Sequence, residues 1–189
     1  MKIAAQYSFN NGLGTIENKF PSYLNEIRDV IFSADATICK IKKSEETTMI
    51  NQLLYSPVEL NKQFKKYFEP KGWKSKRVTC DYKNDFYVNG YIPQSMGKRA
   101  YRDMDFVKDR VGVEIQFGKY SFMVYNVCAK MTIFSNLEGI EVGVEVVPVK
   151  DLADEMSSGV SYFEQFVWDL EARGVSNIDI PVLIIGIAP

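Results

Sequence analysis

DMDFVKDRVGVEIQFGKY, residues 103–120, carries the pattern from which the rest of the chain can be placed. In its second half Val111, Val113, Ile115 and Phe117 alternate with Gly112, Glu114 and Gln116, the period of two expected of a strand with one buried face. Glu114 and Gln116 therefore share a face, Ile115 turns into the core, and the Ile115 carbonyl stays at the strand edge. Upstream, Asp105 closes a short apolar run, and the 107–110 stretch is polar enough to reverse the chain as a hairpin. That hairpin sets Asp105 beside Glu114.

Two carboxylates converging with a backbone carbonyl form an all-oxygen set suited to Mg²⁺, a hard cation that keeps several of its waters. Such an ion lowers the pKa of a bound water and neutralises charge building on a phosphoryl oxygen, which points to phosphate chemistry. The Gln116 carboxamide can hold a water or a phosphate by hydrogen bonds. On spacing alone, the same residues also read as a half-exposed hairpin with solvated polar side chains, because charged residues usually sit in water.

The run D105-x8-E114-I-Q116 followed by FGKYSF resembles the active-site strands of type II restriction endonucleases of the BglII/BstYI group, within the PD-(D/E)XK nuclease superfamily. The resemblance extends to LLYSPVELN at 53–61, EVGVEVVPVK at 141–150, EMSSGVSYFE at 155–164 and the ending VLIIGIAP, which look most like the BstYI branch. Only the segment around 74–102 departs visibly. In this group glutamine replaces the superfamily's final lysine, as Gln116 does here. The resemblance implies that Asp105 and Glu114 hold Mg²⁺, with Gln116 completing the catalytic set; the Ile115 carbonyl at the strand edge is the third oxygen read from the strand itself. It also implies base contacts from the loop containing Ser157 and Ser158 and from Lys119, just after the catalytic strand. Lysine can donate to guanine O6 and N7 and serine can serve either base. Ser157 and Ser158 also read as caps of the helix that follows them.

Bulk properties narrow the alternatives. At 189 residues and 46% hydrophobic residues the chain is long enough for one domain, 1–189, with a substantial core. A net charge of −1 and a pI near 5.7 argue against indiscriminate coating of nucleic acid. The charge is unevenly spread, however. Residues 71–102 carry eight bases against Asp81 and Asp85, whereas residues 137–189 carry ten acids against Lys150 and Arg173. A basic patch on an acidic body suits a protein that grips phosphates locally, and a solvated basic loop is the plainer account. Histidine is absent, which removes Ser-His and Cys-His nucleophile pairs, His-ligated zinc and an imidazole base. Cys39, Cys80 and Cys128 are widely spaced and odd in number, so they read as reduced thiols in a cytoplasm. No apolar run approaches a membrane span of ~20 residues.

Along the chain, residues 2–7 form a short strand before a loop containing Asn11 and Gly12. Pro21 opens an amphipathic helix through Leu24, Ile27, Val30, Ile31 and Ala34 to about Cys39. Ser56, Pro57 and Glu59 read as a capping box opening a helix that buries Leu60, Phe64 and Phe68 and stops at Gly72. Between 74 and 102 the helical period disappears and aromatic residues interleave with the bases, with 86–92 the best candidate strand. Asp85 or Asn89 is the candidate for one further polar group near the metal. Residues 121–135 form a helix apolar nearly all round, buried against the core and against a second subunit, with its one cation, Lys130, at an edge. The 140–146 strand lies next to 111–117, and its Glu141 and Glu145 are rival metal ligands by residue type, with the strand's exposed face as the plainer reading. Residues 162–170 are helical, and 180–188 are a buried strand.

The expected fold is α/β: a mixed sheet of about five strands flanked by helices, with the metal site at one edge. The expected function is a Mg²⁺-dependent endonuclease acting as a homodimer on double-stranded DNA at a palindrome. By resemblance the palindrome has a GATC core. Lys119 and Ser158 match the BstYI pattern and favour purine-GATC-pyrimidine, and a cognate DNA methyltransferase would then be present in the cell. A different PD-(D/E)XK nuclease for repair or nicking, and a non-catalytic DNA-binding dimer module, remain open.

Overall fold

The reversal at Asp109 and Arg110 forms a tight turn in which Asp109 adopts a left-handed backbone with φ of 49°, a conformation aspartate tolerates better than most residues. The computed structural model describes residues 1–83, 85–93 and 100–189. In chain order these form β1 (Lys2–Phe9), α1 (Gly12–Lys19), α2 (Pro21–Ser33), β2 (Lys42–Lys43), β3 (Leu53–Leu54), α3 (Pro57–Phe68), β4 (Lys74–Cys80), β5 (Ala100–Lys108) and β6 (Val111–Ile115). There follow α4 (Tyr120–Tyr125), a π-helical turn at Asn126–Lys130, α5 (Met131–Glu138), β7 (Val142–Pro148), α6 (Lys150–Asp154), α7 (Phe163–Arg173) and β8 (Val182–Ala188). The main sheet has the order β1-β8-β7-β6-β5-β4, with β8-β7-β6 parallel and the remaining pairs antiparallel, and β2 and β3 pair separately.

Among the described residues six strands rather than about five make up the main sheet. The additional one, β4, sits at the sheet edge, where almost every residue is exposed and no alternation marks it. The expected strand at 86–92 does not form; this stretch is turns and loop with Phe86, Val88 and Ile92 facing solvent. Two further bounds differ. Gly12 starts α1 instead of sitting in a loop, and α2 ends at Ser33 rather than near Cys39. Lys98 and Arg99 of the basic segment lie outside the described residues.

The sheet is buried on both faces. On one, Val111, Val113, Ile115, Val142, Val144, Val146, Leu183 and Ile185 pack under α1, α2 and α3 through Ile16, Leu24, Ile27, Leu60, Phe64 and Phe68. On the other, Met104, Val147 and Ile184 pack under Met123, Val127, Met131 and Phe134 of the α4–π–α5 helix and Phe166 and Leu170 of α7. This second face also carries Gly112, Glu114, Gly143 and Glu145, as the period of two requires.

Helix α3 starts as its sequence implies, but only half of the capping box forms. Ser56 Oγ accepts from the Glu59 N–H at 3.4 Å, while Glu59 Oε1 accepts from Lys62 at 2.7 Å instead of turning back to the cap. Ser56→Ala should therefore cost about 0.5–1 kcal/mol of stability, the lower part of the range for such caps, measured by urea denaturation. No helix among the described residues is long and apolar enough to cross a membrane.

Candidate active site

Strands β5 and β6 pair only through Phe106–Val113, Val107–Gly112 and Lys108–Val111, and then their ladder stops. The next backbone amides are satisfied by side chains. The Asp105 N–H donates to Glu114 Oε1 at 3.3 Å, and the Ile115 N–H donates to Asp105 Oδ2 at 3.0 Å. Two carboxylates thus fill the wedge where the strands part. The cause lies one strand further out: Lys74 and Lys76 of β4 pair with Val107 and Met104, so β5 spends one more residue over this span than β4. Such a bulge re-aims side chains, and Asp105 lies inside it.

The site lies within the sheet between its fourth and fifth strands, not at the sheet edge as expected. Asp105 and Ile115 line a cavity of about 280 Å³ with Phe106 and Ser75, opposite Asn61, Lys65 and Glu69, which recur every fourth residue along one side of α3 and its following turn. Lys65 makes only a loose pair with Glu69, at 3.5 Å.

Glu114 is almost fully buried, and its second oxygen, Oε2, pairs with Lys130 Nζ at 2.8 Å. Lys130 Nζ also donates to the Asp103 carbonyl at 3.0 Å. Beside Glu114 in the parallel register lies Glu145, fully buried, with Oε1 accepting from Asn126 Nδ2 at 3.1 Å and Oε2 without a partner among the described residues. Burial, then the neighbouring charge of Asp105, pushes the Glu114 carboxyl up to about 8 despite Lys130. Burial, then Glu114, raises Glu145 well above the ordinary carboxylate range. Desolvation also raises Asp105, open though it is to the cavity, with the Ile115 amide opposing the shift. Burial is the leading cause at all three carboxyls.

Two expectations are corrected here. Glu145 is a core residue instead of part of an exposed face, because β7 is covered on both sides; Glu141 is the partly open one and pairs with Lys19 and Arg110. Lys130 lies under the helix rather than at an edge, since a buried ammonium needs a carboxylate and finds one in Glu114. Asp85 and Asn89 are exposed in the loop after β4 and make no hydrogen bond to either carboxylate among the described residues. The polar groups that do crowd the site are Lys130, Glu145 and Asn126.

Gln116 follows Glu114 on the same face, but its carboxamide donates to the Lys119 carbonyl at 3.4 Å rather than to a carboxylate. Lys119 is exposed and bridged to Val160, and Ser161 donates both its N–H and its hydroxyl to the Gly118 carbonyl. The segments holding Lys119 and Ser157–Ser158 are therefore brought together. Neither serine caps α7, whose cap position is Tyr162. Ser157 Oγ accepts from the Lys42 ammonium and the Ser158 N–H donates to Glu46 Oε2 at 3.0 Å, so the β2–β3 hairpin braces this loop. Arg77 in the basic segment is held in a two-pronged pair with Asp103 and stacks on Tyr101 at 3.7 Å.

Comparison with known proteins identifies the family. Residues 4–187 match the family described as restriction endonuclease BglII/BglIII. The chain belongs to that family. Type II restriction enzyme BglII of Bacillus subtilis is 27% identical over 151 residues, which cover 78% of this chain and 61% of that one. The chain thus matches less than two thirds of that relative's length. Among solved structures, restriction endonuclease BglII complexed with a DNA 16-mer superposes with a TM-score of 0.75 at 22% identity, covering all of this chain and 79% of that one. Free BglII gives 0.62 at 22% identity, covering all of this chain and 80% of that one. These likenesses establish the fold, a mixed sheet flanked by helices.

A metal fits the donor set. Among the described residues no three acidic or thiol side chains form a ready-made cage, but Mg²⁺ is held by one or two carboxylates and keeps its waters. Asp105, Glu114 and the Ile115 carbonyl are such a set, and the raised carboxyls mark a place where added positive charge is favoured.

Proposed function

We propose that residues 1–189 act as one catalytic domain, a type II restriction endonuclease that hydrolyses double-stranded DNA with Mg²⁺. The observation that carries this reading is the parting of β5 and β6 around Asp105 and Glu114 in a chain of the BglII/BglIII family. Asp105, Glu114 and the Ile115 carbonyl would hold the metal. When bound, Mg²⁺ supplies charge neutralisation at the phosphoryl oxygens and a more acidic water. The chain's own residues position the DNA. Lys65 and Asn61 face Asp105 across the cavity and seat the phosphates, and Gln116 orients the attacking water or the scissile phosphate at the exit of β6. Water attacks phosphorus in line, the bond from phosphorus to O3′ breaks, and the products carry a 5′-phosphate and a 3′-hydroxyl.

Lys119, Ser157 and Ser158, gathered at one end of the sheet, are the proposed base contacts. The site read is a palindrome with a GATC core, purine-GATC-pyrimidine, cut to leave a 5′ overhang by a homodimer whose twofold matches that of the DNA. The protein works in the cytoplasm beside a cognate methyltransferase. Digestion of unmethylated plasmid in Mg²⁺, with the ends sequenced, tests this specificity. Cuts confined to GATC-centred palindromes are expected; cuts scattered without a common sequence would replace the restriction reading with a general nuclease. Lys65→Met should weaken DNA binding and lower the slope of log K against log salt by about one, without changing the sites cut. Fluorescence anisotropy across a salt series measures it.

A further inference from the structure

Lys130 is the one buried lysine among the described residues, and it lies under a sheet whose other contacts on this face are mostly apolar. Its ammonium donates to Glu114 Oε2 on β6 and to the Asp103 carbonyl on β5, at 2.8 and 3.0 Å. It therefore spans the two strands just where their own ladder has ended. Both residues that the helix sends down to the carboxylates, Asn126 to Glu145 and Lys130 to Glu114, bound its π-helical turn. A π turn interrupts regular α-helical bonding and is frequent at functional sites. Stability alone does not account for this cluster, because well-packed apolar side chains in place of a buried ion pair are often neutral or stabilising.

Building on the nuclease reading above, we infer that Lys130 is a positioning residue of the cleavage site, fixing the Glu114 carboxylate and the width of the β5–β6 wedge for the metal. A ligand carboxylate is oriented by its hydrogen-bond partner, and losing such a partner lowers metal affinity or activity by roughly 10- to 100-fold. Lys130→Met keeps the length of the side chain and removes the ammonium; Lys130→Arg keeps the cation.

The test compares wild type with both variants in four measurements: Mn²⁺ binding to the DNA-free protein by calorimetry, DNA binding in chelator, cleavage at saturating Mn²⁺, and Tm. For Lys130→Met, Mn²⁺ binding should weaken about tenfold or more and cleavage should slow by roughly 10- to 100-fold. DNA binding in chelator should stay within about twofold; Tm should fall for Lys130→Met, which leaves Glu114 buried without its partner, and hold for Lys130→Arg, with binding and cleavage read well below the lower Tm. Lys130→Arg should recover part of both losses. Lys130→Met that binds Mn²⁺ as tightly as wild type and cuts as fast would overturn the inference alone, as would losses that merely follow a fall in Tm in both variants. Wild-type protein that neither binds Mn²⁺ nor cuts would overturn the nuclease reading and this inference with it.

Discussion

Glu114→Gln is expected to leave supercoiled plasmid uncut at a protein concentration where the wild-type chain linearises it, and Asp105→Asn is expected to do the same. Each change keeps the shape of the side chain and removes a charged metal ligand. A metal contributes several kcal/mol of charge stabilisation, so losing about 4 kcal/mol corresponds to a fall in rate of about a thousandfold. Glutamine is preferable to alanine at 114, because Glu114→Ala leaves the Lys130 ammonium buried without its partner, a change that costs about 3–5 kcal/mol by itself and confounds chemistry with unfolding. DNA binding in chelator should survive in both variants, since the proposed phosphate and base contacts lie on Lys65, Asn61, Lys119 and the Ser157–Ser158 loop. Gel shift in chelator, run beside the cleavage assay, separates a lost catalyst from a lost binder.

The second large effect comes from a residue with no side chain. Gly112 and Gly143 are neighbours across β6 and β7, two residues before Glu114 and Glu145, on the face under the α4–π–α5 helix. A Cβ at Gly143 would lie 2.2 Å from Met131 Sδ, and one at Gly112 would lie 2.2 Å from Met104 Sδ. Gly143 lets the helix come close enough for Lys130 and Asn126 to reach the carboxylates, and Gly112 makes room for Met104 of β5. Gly143→Val should push Met131, fully buried, outward with its helix. Overpacking of this kind costs about 1–3 kcal/mol, seen as a Tm lower by several degrees. Because a displacement of about 1 Å near a catalytic constellation can cost about a hundredfold, cleavage should fall by roughly that factor in protein that is still folded. Folded Gly143→Val with undiminished cleavage would separate the helix from the chemistry.

Much of this arrangement is visible in the sequence. The alternation from Val111 to Phe117 and from Ile140 to Val146 gives two neighbouring strands, and the turn at Asp109 and Arg110 gives the meeting of Asp105 with Glu114. What the sequence hides has physical causes. The bulge at Asp105 depends on how many residues β4 spends opposite β5, and β4, an exposed edge strand, carries no period. Glu145 looks like part of a solvent face because alternation tells which side a residue takes, not whether that side is covered. One signal was present: its neighbours on that side, Gly143 and Val147, are not polar, as expected of a strand buried on both faces. Lys130 offers a similar signal, being the single cation in a helix apolar nearly all round, where a buried acid is the natural partner. The aromatic residues of 86–92 misled for the opposite reason, since strand-forming side chains need a covering layer, and none meets Phe86 or Ile92 among the described residues.

The measurement that tests the central claim most directly is a Mg²⁺ titration of plasmid cleavage by the wild-type chain, from excess chelator to millimolar metal. Linear product that is absent in chelator and rises to saturation with Mg²⁺ is the result predicted for a site built on Asp105 and Glu114. Cleavage that persists undiminished in chelator, or intact plasmid at every Mg²⁺ concentration from a chain that binds DNA, would contradict it.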